Sequence, residues 1–513
     1  MTLYRLPRRS FIKSSLVLGT AMALGPRTLF AQEAPKSGGN LRLALLGGGP
    51  TESLDAHTPT TAPDGLRGPA LYDALFTLDN GGNIVPALAE SIEADPTASI
   101  WTIRLREALF HDGRPVTAND VIATFRRIAD PDSPKYGAAG LEPFDMTSFE
   151  VLDPRTLRFK TKVPFSAMTE VLSFYPNYSI VPADYDPAKP IGSGPFKVES
   201  FTPGDQSVFS RFDDYYLGKP YLDSLTVTTR FSDANAAYNA LQSGEIDVFS
   251  YAPLNLAKRV EAAGGGPIKA LVSNPGQWVP FSMAVDTAPF DNVDVRTAFK
   301  LMIDRQQMIN VALNGYGQVA NDVFSPHDVD FDDSLVRPHD PDQAKALLKK
   351  AGYENLSVEL VTADIATGAV QSAQVLAQQA AKIGVTVKVN RVPTDTFWSQ
   401  NYLKSAFSQN FWGYSPYVAQ VSQCMIKGAP YNETHWEDEA YRKLYDEVQS
   451  TLDPARRSEI VRAMQKIDFE QDGYIIPSFN VIADLMRENV MGFEKSSNGY
   501  PLGTMMFAKA WLA

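Results

Sequence analysis

The sequence has one cysteine, five histidines and, beyond its first 25 residues, no long apolar run. The single Cys424 excludes a disulfide within the chain, and we expect it to be a small buried hydrophobic residue. A membrane-spanning helix needs about 20 apolar residues, so we expect a soluble mature protein. No short-period repeat or low-complexity tract is present, which disfavours solenoids and propellers.

The sequence also has little that indicates catalysis or metal binding. The five histidines are scattered, without an HExxH motif or a pair at helix-face spacing: His57, His111, His327, His339 and His435. No G-x-S-x-G elbow precedes a helix, and the cysteine has no identifiable base. We therefore expect no cofactor, no metal site and no enzymatic activity.

The N-terminal segment differs in character from the rest. Residues 1–14 are basic, residues 15–25 form a short apolar stretch, and a small-residue region ends near Ala31. This order predicts an export signal over residues 1–31, and Arg8-Arg9 followed by SFIK makes it resemble a twin-arginine signal. Without its five basic residues the net charge becomes about −17, which disfavours binding to nucleic acid or anionic lipid.

The remaining sequence mixes helical and strand patterns. Residues 40–46 and 224–231 alternate as strands, and Thr117 with Asp120 predicts a helix start. Asp340-Pro341 and Asp453-Pro454 predict two further helix starts. A strand, helix, strand unit follows residue 355, with Gly384 at the helix end. At 513 residues, an α/β (mixed α+β) fold with two or more lobes is expected.

The stretch IGSGPFKVESF, Ile191–Phe201, superficially resembles a phosphate-binding loop. Pro195 follows Gly194 and has no N–H to offer an anion, and a strand pattern follows instead of a helix. We therefore predict a tight turn that leads into a strand.

Several segments in order resemble the extracellular solute-binding proteins of the peptide and nickel class, family 5. These are IGSGPFKVESFTPGD, ALYDALFTLDNGGNIVPALAES, WTIRLREALFHDGRPVTANDVIATF, VDTAPFDNVDVRTAFKLMIDRQQMINVALNGYG and DPARRSEIVRAMQKIDFEQDGYIIPSFN. The resemblance implies a two-lobed periplasmic binding protein fold with an extra subdomain inserted in the first lobe. It places lobe 1 at 38–78, 190–272 and 485–513, the inserted subdomain at 79–189 and lobe 2 at 273–484.

The resemblance implies a function as well. The chain would be the periplasmic substrate-binding component of an ABC importer, capturing a small solute by hinge closure and delivering it to a permease and ATPase complex. The solute would be a peptide-like molecule, an opine or sugar conjugate, or similar. We expect a monomer that does not span the membrane. An exported hydrolase, or an exported chaperone or sensor with the same fold, remains the alternative.

Seven residues are candidates for solute contact. The glycine turn 47–52 resembles a ligand-approaching segment of the family and makes Glu52 a candidate. Aromatic rings suit a cleft, and the segment FWGYSPY resembles the family's Trp-Gly neighbourhood at the binding cleft. The full candidate set is Glu52, Trp278, Trp398, Trp412, Tyr414, Asn432 and His435.

The segment around Trp412 departs from the peptide-binding members, which place an aspartate just after this tryptophan. Here Tyr414 and Ser415 follow, and residues 405–432 contain no acidic residue. A buried ammonium without a counter-charge is costly. We therefore predict a solute that is neutral or anionic at this position.

Overall fold

The computed structural model describes residues 34–59, 61–173 and 177–513. The predicted export signal at 1–31 lies outside the described residues. The contacts of the chain group residues 35–513 into one unit. Within the described ranges, no helix has both the length and the apolar character needed to cross a membrane.

A seven-stranded sheet, called the first sheet below, contains strands from both ends of the described chain. Its central strand, Asn40–Ala44, pairs in parallel with Ser224–Thr228 and Val248–Phe249. In spatial order the strands are Ile268–Val272, Ala483–Arg487, Val248–Phe249, Asn40–Ala44, Ser224–Thr228, Gln206–Arg211 and Phe196–Thr202. Three helices accompany it in the chain: Ala62–Leu71, Ala234–Ser243 and Leu254–Ala263.

The alternation in the first strand explains how this sheet is covered. Leu41 and Leu43 pack into one apolar cluster, whereas Ala44 packs into a second cluster with Leu241. Successive side chains of a strand point to opposite faces, so both faces are buried. The strand predicted for 224–231 ends at Thr228, because the Thr229 N–H bonds to the Asp205 carbonyl instead.

The segment between the first helix and the strand Phe196–Thr202 forms a separate four-stranded antiparallel sheet. Its strands, in spatial order, are Ala89–Ala94, Ile100–Leu105, Thr156–Lys160 and Glu150–Asp153. The hairpin Phe76–Leu78 with Ile84–Pro86 precedes it. The helical elements here are Ala118–Ile128, Ala138–Leu141 and Met168–Leu172.

A five-stranded sheet, called the second sheet below, forms most of the second half. Its spatial order is Thr386–Arg391, Ser357–Thr362, Phe407–Gln409, Phe281–Met283 and Tyr474–Ile475. The first three strands are parallel, which confirms the predicted strand, helix, strand unit around the helix Ala369–Lys382. The other helices are Val293–Leu301, Arg305–Ala312, Pro341–Lys350, Thr394–Thr396, the π-turn Phe397–Asn401, Tyr417–Cys424, Glu439–Ser450 and Pro454–Gln471.

Two extended segments cross from the first sheet to the second. One runs from Ile268–Val272 through Gln277–Trp278 to Phe281–Met283. The other returns from Tyr474–Ile475 through Ser478–Asn480 to Ala483–Arg487. The two crossings pair antiparallel, and Gln318–Val319 adds a third strand. The chain then ends with Val490–Met491, Leu502–Met505, Phe507–Lys509 and Trp511–Leu512.

These crossings lie near the predicted lobe bounds at 272/273 and 484/485. The bounds themselves, and those of the inserted subdomain, stay predictions.

The helix starts follow the sequence signals. Thr117 and Asp120 form a capping box at the start of Ala118–Ile128. Asp340 and Asp453 each accept a backbone N–H at a helix whose first residue is proline. These starts were predictable because a capping side chain and its N–H partner are only a few residues apart.

The turn at 192–195 leads into the strand Phe196–Thr202, as predicted. A Cβ atom on Gly192 would lie 1.9 Å from the Leu71 carbonyl oxygen. The Gly194 N–H bonds to the same carbonyl at 2.9 Å. The glycines are therefore explained by close packing of two backbones.

Candidate functional site

The carboxyl ends of three parallel strands meet at one edge of the second sheet. Thr386–Arg391, Ser357–Thr362 and Phe407–Gln409 all end there. In open α/β sheets, ligands bind at this edge. The segments 392–402 and 410–417, which follow two of these strands, therefore begin at the edge where a ligand is expected.

Four aromatic rings stack in a column next to this edge, and we call them the aromatic column. The ring centroids of Trp412 and Trp278 are 5.9 Å apart, with an interplanar angle of 18°. Phe324 stacks on the other side of Trp278 at 5.3 Å, and Tyr417 stacks on Phe324 at 5.0 Å. The backbones of Trp278 and Trp412 also exchange two hydrogen bonds, of 3.0 and 2.9 Å. Trp412 is thus held by both its ring and its backbone.

Exposure differs along the column. Phe324 and Tyr417 are fully buried, Trp278 is 1% exposed and Trp412 is 9% exposed. Trp412 is therefore the ring at the accessible end. Tyr474 supports the column from the side, with its ring at 5.5 Å and 89° to that of Trp278.

Tyr414 joins this region to the C-terminal segment of the chain. Its ring packs edge-on against His327 at 5.4 Å, and its carbonyl accepts a 3.1 Å hydrogen bond from the Tyr500 hydroxyl. Two residues further, the Leu502 N–H donates to Asp484 of the first sheet at 2.7 Å. The segment after Trp412 is therefore connected to both sheets.

Three tyrosines bring the segment 79–189 to the same place. The Tyr431 ring lies 5.9 Å from that of Trp412, at 69°. Burial and then the neighbouring Tyr136 hydroxyl raise the pKa of Tyr431. Burial and then Tyr431 raise the pKa of Tyr178, whose hydroxyl donates to the Gly137 carbonyl at 2.9 Å. Tyr431, which packs against Trp412, therefore lies near two phenol groups of the segment 79–189.

A polar bridge connects the same segment to the helices of the second half. The Ser166 hydroxyl donates to the Val448 carbonyl at 2.8 Å, and Arg457 donates to the Ser166 hydroxyl at 2.9 Å. The Arg457 guanidinium also forms an ion pair with Glu170. We call these four residues the Arg457 bridge.

The segment 405–432 contains no acidic residue, yet carboxylates from other segments lie close to it. Asp328 accepts the Tyr417 N–H at 2.7 Å. Burial, then the carboxylates of Asp328 and Glu170 among its neighbours, raises the pKa of Tyr414. Burial raises the pKa of Glu170 to about 7, although Arg457 opposes the shift. Carboxylates from distant segments therefore lie near this position, and the neutral or anionic character of the solute stays a prediction.

A further carboxylate, Glu433, lies directly behind Trp412. It is 3% exposed and accepts hydrogen bonds from Asn410, from the Tyr474 hydroxyl and, at 3.3 Å, from the Tyr402 hydroxyl. Burial raises its pKa to about 7, and these donors together with Trp412 oppose the shift. Glu433 directly follows Asn432, so the acid-free segment 405–432 ends one residue before it.

Glu52, predicted as a solute contact, is engaged inside the protein. Its carboxylate lies 2.9 Å from the Arg67 guanidinium, and the side chains are 0% and 1% exposed, respectively. It also accepts the Gly49 N–H at 3.0 Å. A Cβ atom on Gly48 would lie 2.0 Å from the Glu52 carboxylate, which explains a glycine there. Glu52 thus holds the turn 47–52, and its contact with a solute stays a prediction.

The remaining predicted residues differ in their availability. Trp398 is 39% exposed and lies 6.0 Å from Phe411, which is 40% exposed. Asn432 closes its own loop, accepting the Trp436 N–H and donating to the Trp436 carbonyl. His435 lies 2.9 Å from Asp286. Of these three, Trp398 has the most surface free for a partner.

The described residues contain no group of three or more His, Cys, Asp or Glu side chains arranged to hold a metal ion. Cys424 is buried and contacts Gln420, as expected of a small core residue.

What the sequence missed at the site are contacts between distant segments. Glu170, Asp328, Glu433 and Tyr500 come from four parts of the chain, and each lies beside the segment 410–417 or its neighbours. The resemblance of FWGYSPY pointed to the place but carried no information on these partners. One local signal existed, since Glu433 directly follows the acid-free segment.

Comparison with known proteins agrees with this architecture. Residues 83–427 match the model described as bacterial extracellular solute-binding proteins, family 5 Middle. The sequence is similar to the glutathione-binding protein GsiB of Escherichia coli O6:K15:H31 (strain 536 / UPEC). The two are 27% identical over 521 aligned residues, covering 94% of this chain and 96% of that protein.

Two solved structures are similar over most of the chain. One is the periplasmic binding protein AgaA from A. tumefaciens R10 in complex with agropinic acid, with a TM-score of 0.81 and 27% identity. It covers 93% of this chain and 99% of that one. The other is DppA from Helicobacter pylori with the peptide STSA, with a TM-score of 0.81, 23% identity, and 93% and 98% coverage. At that identity, the second supports the fold alone.

Proposed function

Because the chain belongs to the bacterial extracellular solute-binding proteins of family 5, we propose that it captures a small amino-acid-derived solute against the aromatic column. The general role follows from the family: the chain is the solute-binding component of an ABC importer. What is proposed here is the place of binding, the class of solute and its release without chemical change.

The position of Trp412 is the observation that carries the proposal. It stands at the accessible end of a rigid ring stack, at the strand edge where α/β sheets bind ligands. Tyr500 bonds to the Tyr414 carbonyl, two residues further along the chain, and Tyr431 packs against Trp412 with Tyr136 beyond. A solute at Trp412 would thus contact elements on both sides of the two crossing segments. Such a solute binds the closed state better than the open one, and this difference drives closure.

The class of solute is proposed from the relatives. One curated relative binds glutathione and one structural neighbour holds agropinic acid. Both support an amino-acid-derived molecule, peptide-like or opine-like. We keep as a hypothesis that the group at Trp412 is neutral or anionic, because Glu433 behind it is hydrogen-bonded rather than free. A cationic group would find the carboxylates of Asp328 and Glu170 nearer Tyr414.

A matched pair of peptides tests this hypothesis. Tri-alanine has an N-terminal ammonium group, which N-acetyl-tri-alanine lacks. Calorimetry with both peptides, and with glutathione for comparison, measures how much the ammonium group changes the affinity. We expect the acetylated peptide to bind at least as tightly as the free one. Binding of the free peptide alone would contradict the hypothesis about charge and leave the binding function intact.

Thermal stabilisation tests the function itself. A solute that binds only the folded protein stabilises it by about 2.7 kcal/mol at a hundredfold excess over its Kd. We expect glutathione or an opine to raise the melting temperature of the wild type, and Trp412→Ala to abolish the shift. Mass spectrometry of the released solute separates binding from hydrolysis, since we propose that its mass stays unchanged.

The cellular setting is also proposed. We infer a periplasmic monomer, exported with cleavage of residues 1–31, that delivers its solute to a permease and ATPase complex in the inner membrane. The exported hydrolase and the chaperone or sensor gain no specific observation in their favour. Permease and ATPase genes adjacent to the gene of this protein would support import.

A further inference from the structure

The Glu433 carboxyl group joins the segments 397–402 and 410–412, which we call the wall, to the strand Tyr474–Ile475. Tyr402 follows the π-turn Phe397–Asn401, Asn410 precedes the column residue Trp412, and Tyr474 lies in the last strand of the second sheet. All three donate to Glu433. One buried side chain thus accepts hydrogen bonds from all three of these segments.

Two of the three donors pack directly against aromatic rings, and the third is close in the chain to Trp412. The Tyr402 ring lies 5.1 Å from that of Trp398, and the Tyr474 ring lies 5.5 Å from that of Trp278. Asn410 is two residues from Trp412 in the chain. A change in how Glu433 holds its donors would therefore reach Trp398 and Trp278 through ring contacts, and Trp412 through the backbone that follows Asn410.

We propose that Glu433 is a positioning residue for the solute site, which sets the placement of Trp398 and Trp412 through Tyr402, Asn410 and Tyr474. The proposal rests on the proposed function, because it assigns Glu433 to the wall at which the solute is proposed to bind. Glu433 does not itself contact the solute.

The charge of Glu433 is not balanced by a cation. No ion pair involves it among residues 34–59, 61–173 and 177–513. The titratable groups that face it are Tyr402 and Tyr474, with Cys424 and Tyr431 nearby, and burial raises the pKa of all four. These groups are neutral near pH 7, so the ionised carboxylate is supported by neutral donors only.

A dependence on pH follows from this arrangement. A solute over Trp412 removes water from the cleft and so disfavours the charged form of Glu433 further. By linkage, the solute then binds better when Glu433 is protonated. The affinity for an uncharged or anionic solute should therefore fall as the pH rises through about 7.

Calorimetry with glutathione across this pH range tests the proposal in the full protein. For the wild type we expect affinity to fall several-fold, roughly three to tenfold, between pH values of about 6 and about 8.5. Glu433→Gln keeps the size and an acceptor, so it should bind within about threefold of wild type near pH 6 and lose the pH dependence. Glu433→Ala leaves buried donors unpaired and should weaken binding by about tenfold or more.

Asp247→Asn serves as the matched control. Asp247 is also buried, but it pairs with Arg42 in the first sheet. It should retain the affinity and the pH profile of the wild type. If Glu433→Gln keeps the wild-type pH profile, or Glu433→Ala binds as the wild type does, the proposal is overturned.

A second readout keeps the test independent of the solute. The near-ultraviolet circular dichroism of the tryptophans should change with pH in the ligand-free wild type and stay constant in Glu433→Gln. If glutathione and the other probes fail to bind the wild type, the proposed function fails, while this spectrum still decides the role of Glu433. A flat wild-type spectrum would overturn the positioning role alone.

Discussion

Two buried glutamates close to the two sheets are held in opposite ways. Glu52, near the first sheet, lies against Arg67, and Asp64 is 3.6 Å from the same guanidinium. Glu433, beside the second sheet, accepts bonds from an amide and two phenols. The Glu52 carboxylate is thus neutralised by the Arg67 guanidinium. Burial without a cation instead favours the protonated, uncharged form of Glu433.

The difference matters for what each region can do. An ion pair between rigid, fully buried groups fixes the turn 47–52 in one arrangement, because separating the charges inside the protein is costly. A carboxyl held by neutral donors can gain or lose a proton without leaving a buried cation unpaired. The second region is therefore the one that can respond to a solute or to pH.

Removal of the cation gives the largest expected effect. Arg67→Ala leaves the Glu52 carboxylate buried without its partner, which typically costs about 3–5 kcal/mol of unfolding free energy. Urea titration of the variant measures this. Arg104→Ala is the control, since Arg104 pairs with Glu90 and both side chains are about half exposed, at 54% and 51%, and we expect it to cost at most about 1 kcal/mol. Equal losses in both variants would contradict the comparison.

Truncation of the aromatic column should cost nearly as much. Trp278→Ala removes a fully buried ring between Trp412 and Phe324, and such a loss costs about 3 kcal/mol or more. Trp398→Ala, by contrast, removes a ring that is 39% exposed and should lower solute affinity with little change in stability. Urea titration and calorimetry of both variants separate the two roles. A stable Trp278→Ala protein would show that the column does not support the wall.

The Arg457 bridge is expected to have a smaller effect. The ion pair of Arg457 with Glu170 is partly buried, and we expect it to favour the closed state. Arg457→Ala removes this pair and should therefore reduce solute affinity several-fold, equivalent to about 1 kcal/mol. Arg456, the preceding residue, makes only exposed pairs with Glu447 and Glu459, so Arg456→Ala should bind as wild type. Calorimetry measures the solute affinity of both variants. Similar losses of affinity would show that the Arg457 bridge has no specific role in solute binding.

The smallest effect expected of a single residue is on stability as a function of pH. Burial raises the pKa of Glu433 and Glu170 to about 7 and that of Asp73 to about 8. A raised folded-state pKa gives stability that is complete below the unfolded value and is lost as pH rises through the folded value.

Buried His57 and partly buried His111, whose pKa is lowered to about 4, act in the opposite direction below about pH 6.5. The melting temperature should therefore fall from about pH 6.5 to about pH 8.5, by the equivalent of roughly 1 kcal/mol per acid. Glu433→Gln should fall less steeply than the wild type. A melting temperature that rises over this range would contradict the assignment of these acids.

How far the sequence predicted the fold and the site depends on the distance between partners in the chain. Thr117 with Asp120, and Asp340 with Pro341, form their contacts within one helical turn, so their pattern was readable. The resemblance supplied the order of the lobes and the place of Trp412. Glu433 with Tyr474, and Glu170 with Arg457, are joined only by the folded chain, and no local pattern encodes such a pair. For that reason the acid-free segment 405–432 did not reveal the carboxylates that lie beside it in the fold.

Calorimetric titration of the wild-type protein and Trp412→Ala with glutathione, followed by mass spectrometry of the recovered solute, tests the central claim most directly. The account predicts binding of one solute per wild-type chain, recovery of the solute with its mass unchanged, and loss of binding in Trp412→Ala. Equal binding by both proteins, or a recovered solute of altered mass, would contradict it.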